Sequence, residues 1–456
     1  MVTPPTQPIL YVPEDYYAGA QHNGYTLHTA PIFMPNTVGG YLPGPADCPG
    51  PDRFGRPNAV LCALAHGYVV ACIGVRGRTS GHRNAEFFEG SKTMAQQKET
   101  GRSVGKAPAF AVDMKAGIRW LRKNRALIPG DPEKIITSGT SAGGALSALT
   151  GASGNSPLYA ADLARIGAVE ERDDIFAANC YCPIHNLENA DAAYEWMFCG
   201  HDDFSTLRMS VKDGQIVQKG TSGTQTEQQK QISRELKALF PAYLNRLHLK
   251  TADGAPLTLA ADGTGSFQDA LKAAVMQSAQ QELDTHTTAQ NLSWLAVEGS
   301  RVERQSYLSI ANGQVVDLDW DAFVSAIVRM KTAPAFDALD LGSPENQEFG
   351  TETIDRQHFT PYSQAHDTAG GTLADPALIA QMNPLTFIGR ADTAPHWRIR
   401  HGVYDRDTSL AIPFILQTVL KNHGCDVDFA LPWGLPHSGD YDLKELFGWI
   451  DRICAE

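Results

Sequence analysis

The segment Gly139-Thr140-Ser141-Ala142-Gly143-Gly144 sets one serine among glycines in the pattern G-x-S-x-G. That spacing suits a nucleophile on a sharp strand-to-helix turn. The turn strains the serine backbone, and side chains at the flanking positions would collide with neighbouring elements. Residues 134–138 before it read as a strand, and the Ala- and Leu-rich run from Gly143 reads as a helix. The amide of Ala142, at the start of that helix, would point at the oxyanion formed on an attacked carbonyl. The competing reading is a Gly/Ser turn that merely caps a helix, and the strand–turn–helix setting weighs against it.

A serine hydroxyl needs a base, and the base needs an acid to orient it. His437 lies in Pro432-Trp433-Gly434-Leu435-Pro436-His437-Ser438-Gly439-Asp440, after a strand expected over 427–431. Asp405 follows a strand expected over 397–403, Asp407 stands two residues further on, and Asp392 is a more distant choice. Position favours Asp405 without excluding Asp407. His437 would take the Ser141 proton and return it to a leaving group, while the acid holds the imidazole tautomer. A second oxyanion donor is expected from a loop after an earlier strand. Gly39-Gly40 in Thr37-Val38-Gly39-Gly40-Tyr41 is the candidate, against the equal alternative of a simple turn. Arg76-Gly77-Arg78 either lines the site or forms a salt-bridged strand end. No His or further acid sits at ligand spacing beside Asp405 and Asp407, so neither a metal nor a cofactor is expected.

These residues need a scaffold that brings distant loops together. Strands expected at 31–34, 68–75, 134–138 and 174–182 alternate with helices at 59–65, 110–127 and from 143. This is the rhythm of a mostly parallel sheet with right-handed crossovers. The rhythm breaks near residue 200. Polar helices are expected at 226–247, with an interruption at Pro241, and from Ser266 to 283, opened by a capping box at Ser266-Phe267-Gln268-Asp269. Asn312-Gly313 marks a hairpin within 308–318, and 319–331 reads as a helix. The strand at 397–403, helix 409–422, strand 427–431 and helix 443–453 resume the rhythm. The expected fold is α/β: an α/β-hydrolase with a mostly parallel sheet and a large, mainly helical inserted lid. The hydrolase domain occupies 1–200 and 394–456, and the lid 201–393.

Composition narrows the function. The 456 residues carry a formal charge of −13, with 43% apolar and 20% charged residues. A general nucleic-acid binder would need a basic face, so no nucleic-acid partner is expected. No run approaches the ~18–20 apolar residues of a membrane span. Met1-Val2-Thr3-Pro4-Pro5 lacks the basic start and apolar run of a signal peptide, which leaves a cytoplasmic protein or a mature exported form. The eight cysteines are dispersed without a CxxC pair, and Cys62, Cys72 and Cys180 read as core. Cys180 and Cys182 would face the same side of one strand. The long polar stretch from Gly81 to Val104, with Lys92, Lys98 and Arg102, suggests a flap near the rim of the site.

The chain resembles the bacterial tannases, tannin acyl hydrolases with an inserted lid. The resemblance rests on Ala30-Pro31-Ile32-Phe33-Met34-Pro35-Asn36-Thr37-Val38-Gly39-Gly40-Tyr41, on the Ser141 segment, and on Tyr181-Cys182-Pro183-Ile184-His185-Asn186-Leu187. It continues through Trp397-Arg398-Ile399-Arg400-His401-Gly402, Asp405-Arg406-Asp407-Thr408-Ser409 and Pro436-His437-Ser438-Gly439-Asp440-Tyr441-Asp442. It implies that Asp405 belongs to the triad and Asp407 contacts substrate. It also implies that Lys331 and Glu345, from the lid, hold the phenolic hydroxyls of a galloyl ring. Small galloyl esters are then the expected partners. A feruloyl or other aromatic-acid esterase would share the triad without needing Lys331, Glu345 and Asp407 together. A prolyl-oligopeptidase-like peptidase would want a propeller, for which no blade repeat is visible.

Overall fold

The computed structural model describes residues 8–52, 55–81, 86–89, 93–96, 102–212, 215–285 and 307–455. Seven strands make the central sheet: β1 (Ile9–Tyr11), β2 (Pro31–Pro35), β3 (Val69–Cys72), β4 (Asp131–Thr140), β5 (Ala177–Tyr181), β6 (His396–Arg400) and β7 (Asp426–Ala430). Their order is β1-β3-β2-β4-β5-β6-β7, parallel throughout except for the antiparallel edge strand β1. The flanking helices are α1 (Ala59–His66), α2 (Ala109–Lys123), α3 (Ala142–Ala152), α4 (Leu187–Phe198), α5 (Glu227–Arg246), α6 (Ser266–Thr285), α7 (Trp320–Ile327), α8 (Ala411–Asn422) and α9 (Leu443–Ala455).

Both faces of the centre of the sheet are buried, which is why β2 and β3 read as continuous apolar runs rather than alternating ones. Phe33, Val70 and Ile136 face a smaller core closed by Val60 and Ala63 of α1 and Phe447 and Ile450 of α9. Their neighbours Ile32, Val69 and Ile135 face the larger core with α2, α3 and α8. That larger core continues into the inserted region. Trp196 of α4 packs on Phe240 of α5, ring centroids 5.2 Å apart, and Phe267 of α6 meets Phe414 of α8 at 5.5 Å. The fold is an α/β-hydrolase with a lid. Among the described residues, 201–393 contribute nothing to the central sheet and form no propeller blade.

Several expectations change. A hairpin of Asp203–Lys212 and Gln215–Thr224 opens the insertion, ahead of the first helix expected there; Asp213-Gly214 between them is its sequence signal. Helix α5 runs unbroken through Pro241, because Ile232, Leu236, Phe240 and Leu244 make a buried stripe against the core. That packing offsets the roughly 3 kcal/mol a mid-helix proline costs. No capping box opens α6: the Ser266 hydroxyl instead accepts from the Thr258 amide and donates to the Pro256 carbonyl, both at 2.9 Å. The hairpin at Asn312-Gly313 forms as expected, with both residues at positive φ. Helix α7 ends at Ile327, and Val328 turns out of it at φ 61°. Lys331 therefore lies beyond the helix and offsets no helix dipole. Strands β3 and β6 are shorter than the strands expected at 68–75 and 397–403. The residues released after β6, 401–407, form a loop instead.

A buried ion pair ties the insertion to the sheet domain. Arg329 and Glu195 of α4 are both fully buried, with Nη2–Oε1 at 2.5 Å and Nη1–Oε2 at 3.1 Å. Arg329 Nε also donates to the Lys331 carbonyl at 2.7 Å. Arg329→Met strands the Glu195 charge and is expected to cost about 3–5 kcal/mol, whereas removing both charges with Glu195→Leu as well restores part of it. Urea unfolding measures both; a single variant within 1 kcal/mol of wild type, roughly the surface-pair value, would discard this anchor.

Candidate active site

Register sets the site. Thr140, Tyr181, Arg400 and Ala430 are paired across β4, β5, β6 and β7 and end those strands at one level. Ser141, Cys182, the 401–407 loop and the 431–442 loop therefore emerge side by side from the carboxyl edge, the usual place for ligands in such sheets.

Ser141 holds φ 62° and ψ −124°, a conformation costing of order 1–3 kcal/mol for a non-glycine residue. A Cβ on Gly139 would come within 2.3 Å of Asn36 Nδ2 and of the Gly143 carbonyl, and one on Gly143 within 2.5 Å of Asn36 Oδ1. Asn36 is the reason. Its Nδ2 donates to the Ser138 and Gly143 carbonyls, both at 3.0 Å, and its Oδ1 accepts from the Val38 amide at 3.3 Å. One side chain thus locks the loop of Gly39 and Gly40 against the serine turn. Nothing in the residue pattern singles out Asn36, although it stands in the loop that carries those glycines.

His437 Nδ1 lies 2.7 Å from Asp405 Oδ2 and 3.7 Å from Asp407 Oδ2. Asp405 is fully buried, and its Oδ1 accepts the Asp407 amide at 2.9 Å. Burial works against the Asp405 carboxylate. The charges of His437 and His401 and the bond from His437 overcome it and hold the group at about 2. Burial likewise opposes charge on His437, but Asp405, Cys182 and Asp407 raise it well above the usual imidazole value. The two loops are pinned together. Val403 N donates to Pro432 O at 3.0 Å and Tyr404 N to Leu435 O at 3.1 Å. A Cβ on Gly439 would meet Thr140 Oγ1 at 2.0 Å, so only glycine lets the His437 loop close on the serine turn. Asp442 anchors that loop from below, accepting from buried Arg398 and from Tyr181.

A base must be neutral to accept a proton, so a raised His437 pKa moves the acid limb of activity upward. The expected kcat/KM profile rises above pH ~6.5, the free-histidine value. Asp407→Asn removes a nearby negative charge and should lower the limb. A wild-type limb at or below the free value would contradict this electrostatic picture.

Lys331 and Asp407 meet beside the imidazole, and the Glu345 carboxyl lies within electrostatic reach of both. Lys331 Nζ is 3.7 Å from Asp407 Oδ1 and 3.9 Å above the Phe336 ring. Glu345, at the start of the short helix Pro344–Glu348, is buried. Burial raises its pKa against the pull of Lys331 and Arg78, and Asp407 adds to the rise. Tyr194 of α4 holds the arrangement, and no sequence signal marked it. Its hydroxyl accepts from the Met330 and Lys331 amides at 3.0 and 3.1 Å and donates to the Arg406 carbonyl at 3.0 Å. Arg406 in turn reaches the Val328 carbonyl at 3.0 Å.

Other candidates fall elsewhere. Asp392 precedes β6 at the opposite end of the sheet and accepts from Asn155 at 2.7 Å. Arg76 is salt-bridged to Asp113 at 2.7 Å. Arg78 does border the site, donating to the Gly40 carbonyl at 2.8 Å and to Gln347. Within the polar stretch from Gly81, strands Glu86–Glu89 and Thr93–Gln96 pair as a hairpin. Lys92 and Lys98 lie outside the described residues, and Arg102 pairs with Glu352 at 3.0 Å. All eight cysteines are free thiols; Cys62 is half-buried rather than core. Cys182 has left the strand, at φ 35°, so the same-side expectation with Cys180 does not hold.

The chain is similar along its whole length to solved structures. It is 45% identical to tannase from Lactobacillus plantarum in the orthorhombic crystal, over 99% of this chain and 92% of that one, with a TM-score of 0.88. It is 43% identical to Fusobacterium nucleatum tannase, over 98% and 90%, with a TM-score of 0.88. A tannin acyl hydrolase in complex with ethyl gallate matches at 45% identity over 99% and 93%, with a TM-score of 0.86. The family model described as BD-FAE matches residues 96–195. Esterase LipQ of Mycobacterium tuberculosis is 38% identical over 90 residues, a match spanning 20% of either chain.

Proposed function

The chain belongs to the tannase family of ester-hydrolysing enzymes, and from that premise we propose that it cleaves galloyl esters, of hydrolysable tannins and of simple gallates, to gallate and an alcohol. Ser141 attacks the ester carbonyl while His437 takes its proton. The oxyanion is held by the amide of Ala142 and an amide of the Gly39-Gly40 loop. His437 protonates the departing alcohol, leaving a galloyl group on Ser141. Water, deprotonated by His437, attacks that acyl-enzyme and releases gallate. Asp405 keeps the imidazole oriented and stabilises its charged form.

The observation that supports this reading is the pairing of Lys331 with Asp407 next to His437, with Glu345 in electrostatic reach of both. A galloyl ring offers three adjacent hydroxyls, each both donor and acceptor. Asp407 accepts from one. Lys331 donates to a hydroxyl oxygen. The Glu345 carboxylate accepts from another. The related tannin acyl hydrolase solved with ethyl gallate binds a ligand of this class. The test compares methyl gallate with methyl ferulate and a peptide amide. Methyl gallate should be preferred over methyl ferulate by at least about a hundredfold in kcat/KM, since unpaired polar groups penalise a ring lacking hydroxyls. Equal rates on the two esters would favour a general aromatic-acid esterase, and amide cleavage a peptidase.

A further inference from the structure

Cys182 stands closer to the imidazole than any mechanism above requires. It is the first residue after β5, level with Ser141 after β4. Its amide donates to the Arg400 carbonyl at 2.7 Å, and its backbone is held at φ 35°. The sulfur is therefore aimed rather than loosely placed. Sγ lies 3.9 Å from His437 Nε2 and 3.4 Å from the Ser438 carbonyl. The other ring nitrogen, Nδ1, is engaged by Asp405 at 2.7 Å. The sulfur, a carboxylate oxygen of Asp405 and a nitrogen of His437 all fall within 4.8 Å of one another.

We propose that Cys182 and His437 form a two-point site for a soft divalent cation, zinc or cadmium, and that filling it stops hydrolysis. Zinc bonds of ~2.3 Å to sulfur and ~2.0 Å to nitrogen at a near-tetrahedral angle place the donors roughly 3.5–3.9 Å apart. The observed separation is at the upper end of that span, and the longer bonds of cadmium fit it without movement. Asp405 on Nδ1 completes the carboxylate–histidine–metal arrangement that orients ligating histidines. The balance is simple: the Cys182 thiol loses its proton to solvent, and metal–sulfur and metal–nitrogen bonds form without redox change. Two protein donors make a reversible inhibitory site rather than a resident cofactor site. Hard cations such as magnesium, which prefer oxygen, should not compete.

The inhibitory half of the proposal rests on His437 being the base; the binding half does not. The experiment titrates cadmium into the full chain. It reads the ultraviolet charge-transfer absorption of a cadmium–thiolate and, separately, methyl gallate hydrolysis relative to each variant's own metal-free rate. In wild type, hydrolysis should fall as the first equivalent of thiolate absorption appears, and magnesium should do neither. Cys182→Ala and the more conservative Cys182→Ser should lose that equivalent and need at least about tenfold more cadmium for half-inhibition. His437→Ala, read by absorption alone, should also lose it. The seven other cysteines are common to every variant and cancel in the comparison. Undiminished inhibition in both Cys182 variants would overturn the site. Cys182-dependent absorption with hydrolysis unchanged would overturn the inhibition and the role of His437 as base together.

Discussion

Ser141→Ala should lower kcat for methyl gallate by about 10⁴- to 10⁶-fold, the loss expected when a triad nucleophile is removed and only the oxyanion donors remain. The fold should be untouched, because the serine turn is held by Asn36 and by the glycines rather than by the hydroxyl. Alanine inherits the φ of 62° and so relieves nothing. Ser141→Gly, equally inactive, should be more stable by about 1–2 kcal/mol, since glycine adopts that conformation without penalty. A serine-directed phosphonate should label Ser141 in the wild type and no residue in either variant. Retention of a tenth of the wild-type rate by Ser141→Ala, or a label elsewhere, would remove this residue from the chemistry.

Selectivity carries the second large effect. A pocket built to bond hydroxyls rejects a ring without them by about 10⁴-fold or more, because its own buried polar groups are left unpaired. Wild type should prefer methyl gallate to methyl benzoate by that order. Glu345→Ala should shrink the ratio by about 10- to 100-fold, the worth of one charged hydrogen bond of ~1.5–3 kcal/mol. Lys331→Met should do the same, both mainly through KM. Asp407→Ala should depress kcat as well, since its carboxylate lies 3.7 Å from His437 Nδ1. Stability should change little, because Lys331 and Asp407 are about a quarter exposed and their ion pair is long. Ratios that stay put in all three variants would mean that these residues do not read the ring.

The sheet was legible because strands such as β2 and β3 are buried on both faces and appear as uninterrupted apolar runs, alternating in the sequence with helices. The boundaries were less so. The strands expected at 68–75 and 397–403 reach past the ends of β3 and β6, because the loops leaving the sheet are themselves packed: Gly402 lies where a Cβ would be 2.1 Å from the Leu435 carbonyl. Inside the insertion, local signals competed with tertiary packing. Pro241 argued for a break, and a buried apolar stripe on α5 overruled it. Ser266 argued for a cap, and its hydroxyl was claimed by the Pro256–Thr258 segment.

By itself the sequence determined the serine turn, since a strained backbone and the glycines that permit it are adjacent residues whose sterics are local. It also set Ser141, Asp405 and His437 along the chain in the order expected of nucleophile, acid and base, each in the loop that carries it. Between Asp405 and Asp407 the residue types left the choice open. In three dimensions Asp405 is buried against His437, and Asp407, about a quarter exposed, lies beside Lys331. Only the tertiary structure brought Asn36 to the serine turn, Tyr194 under Lys331 and Arg406, and Cys182 against the imidazole. Those contacts join residues tens to hundreds of positions apart. They exist because β-strand register sets Thr140, Tyr181, Arg400 and Ala430 at one level, and register between parallel strands is decided by packing across the whole sheet rather than by any spacing along the chain.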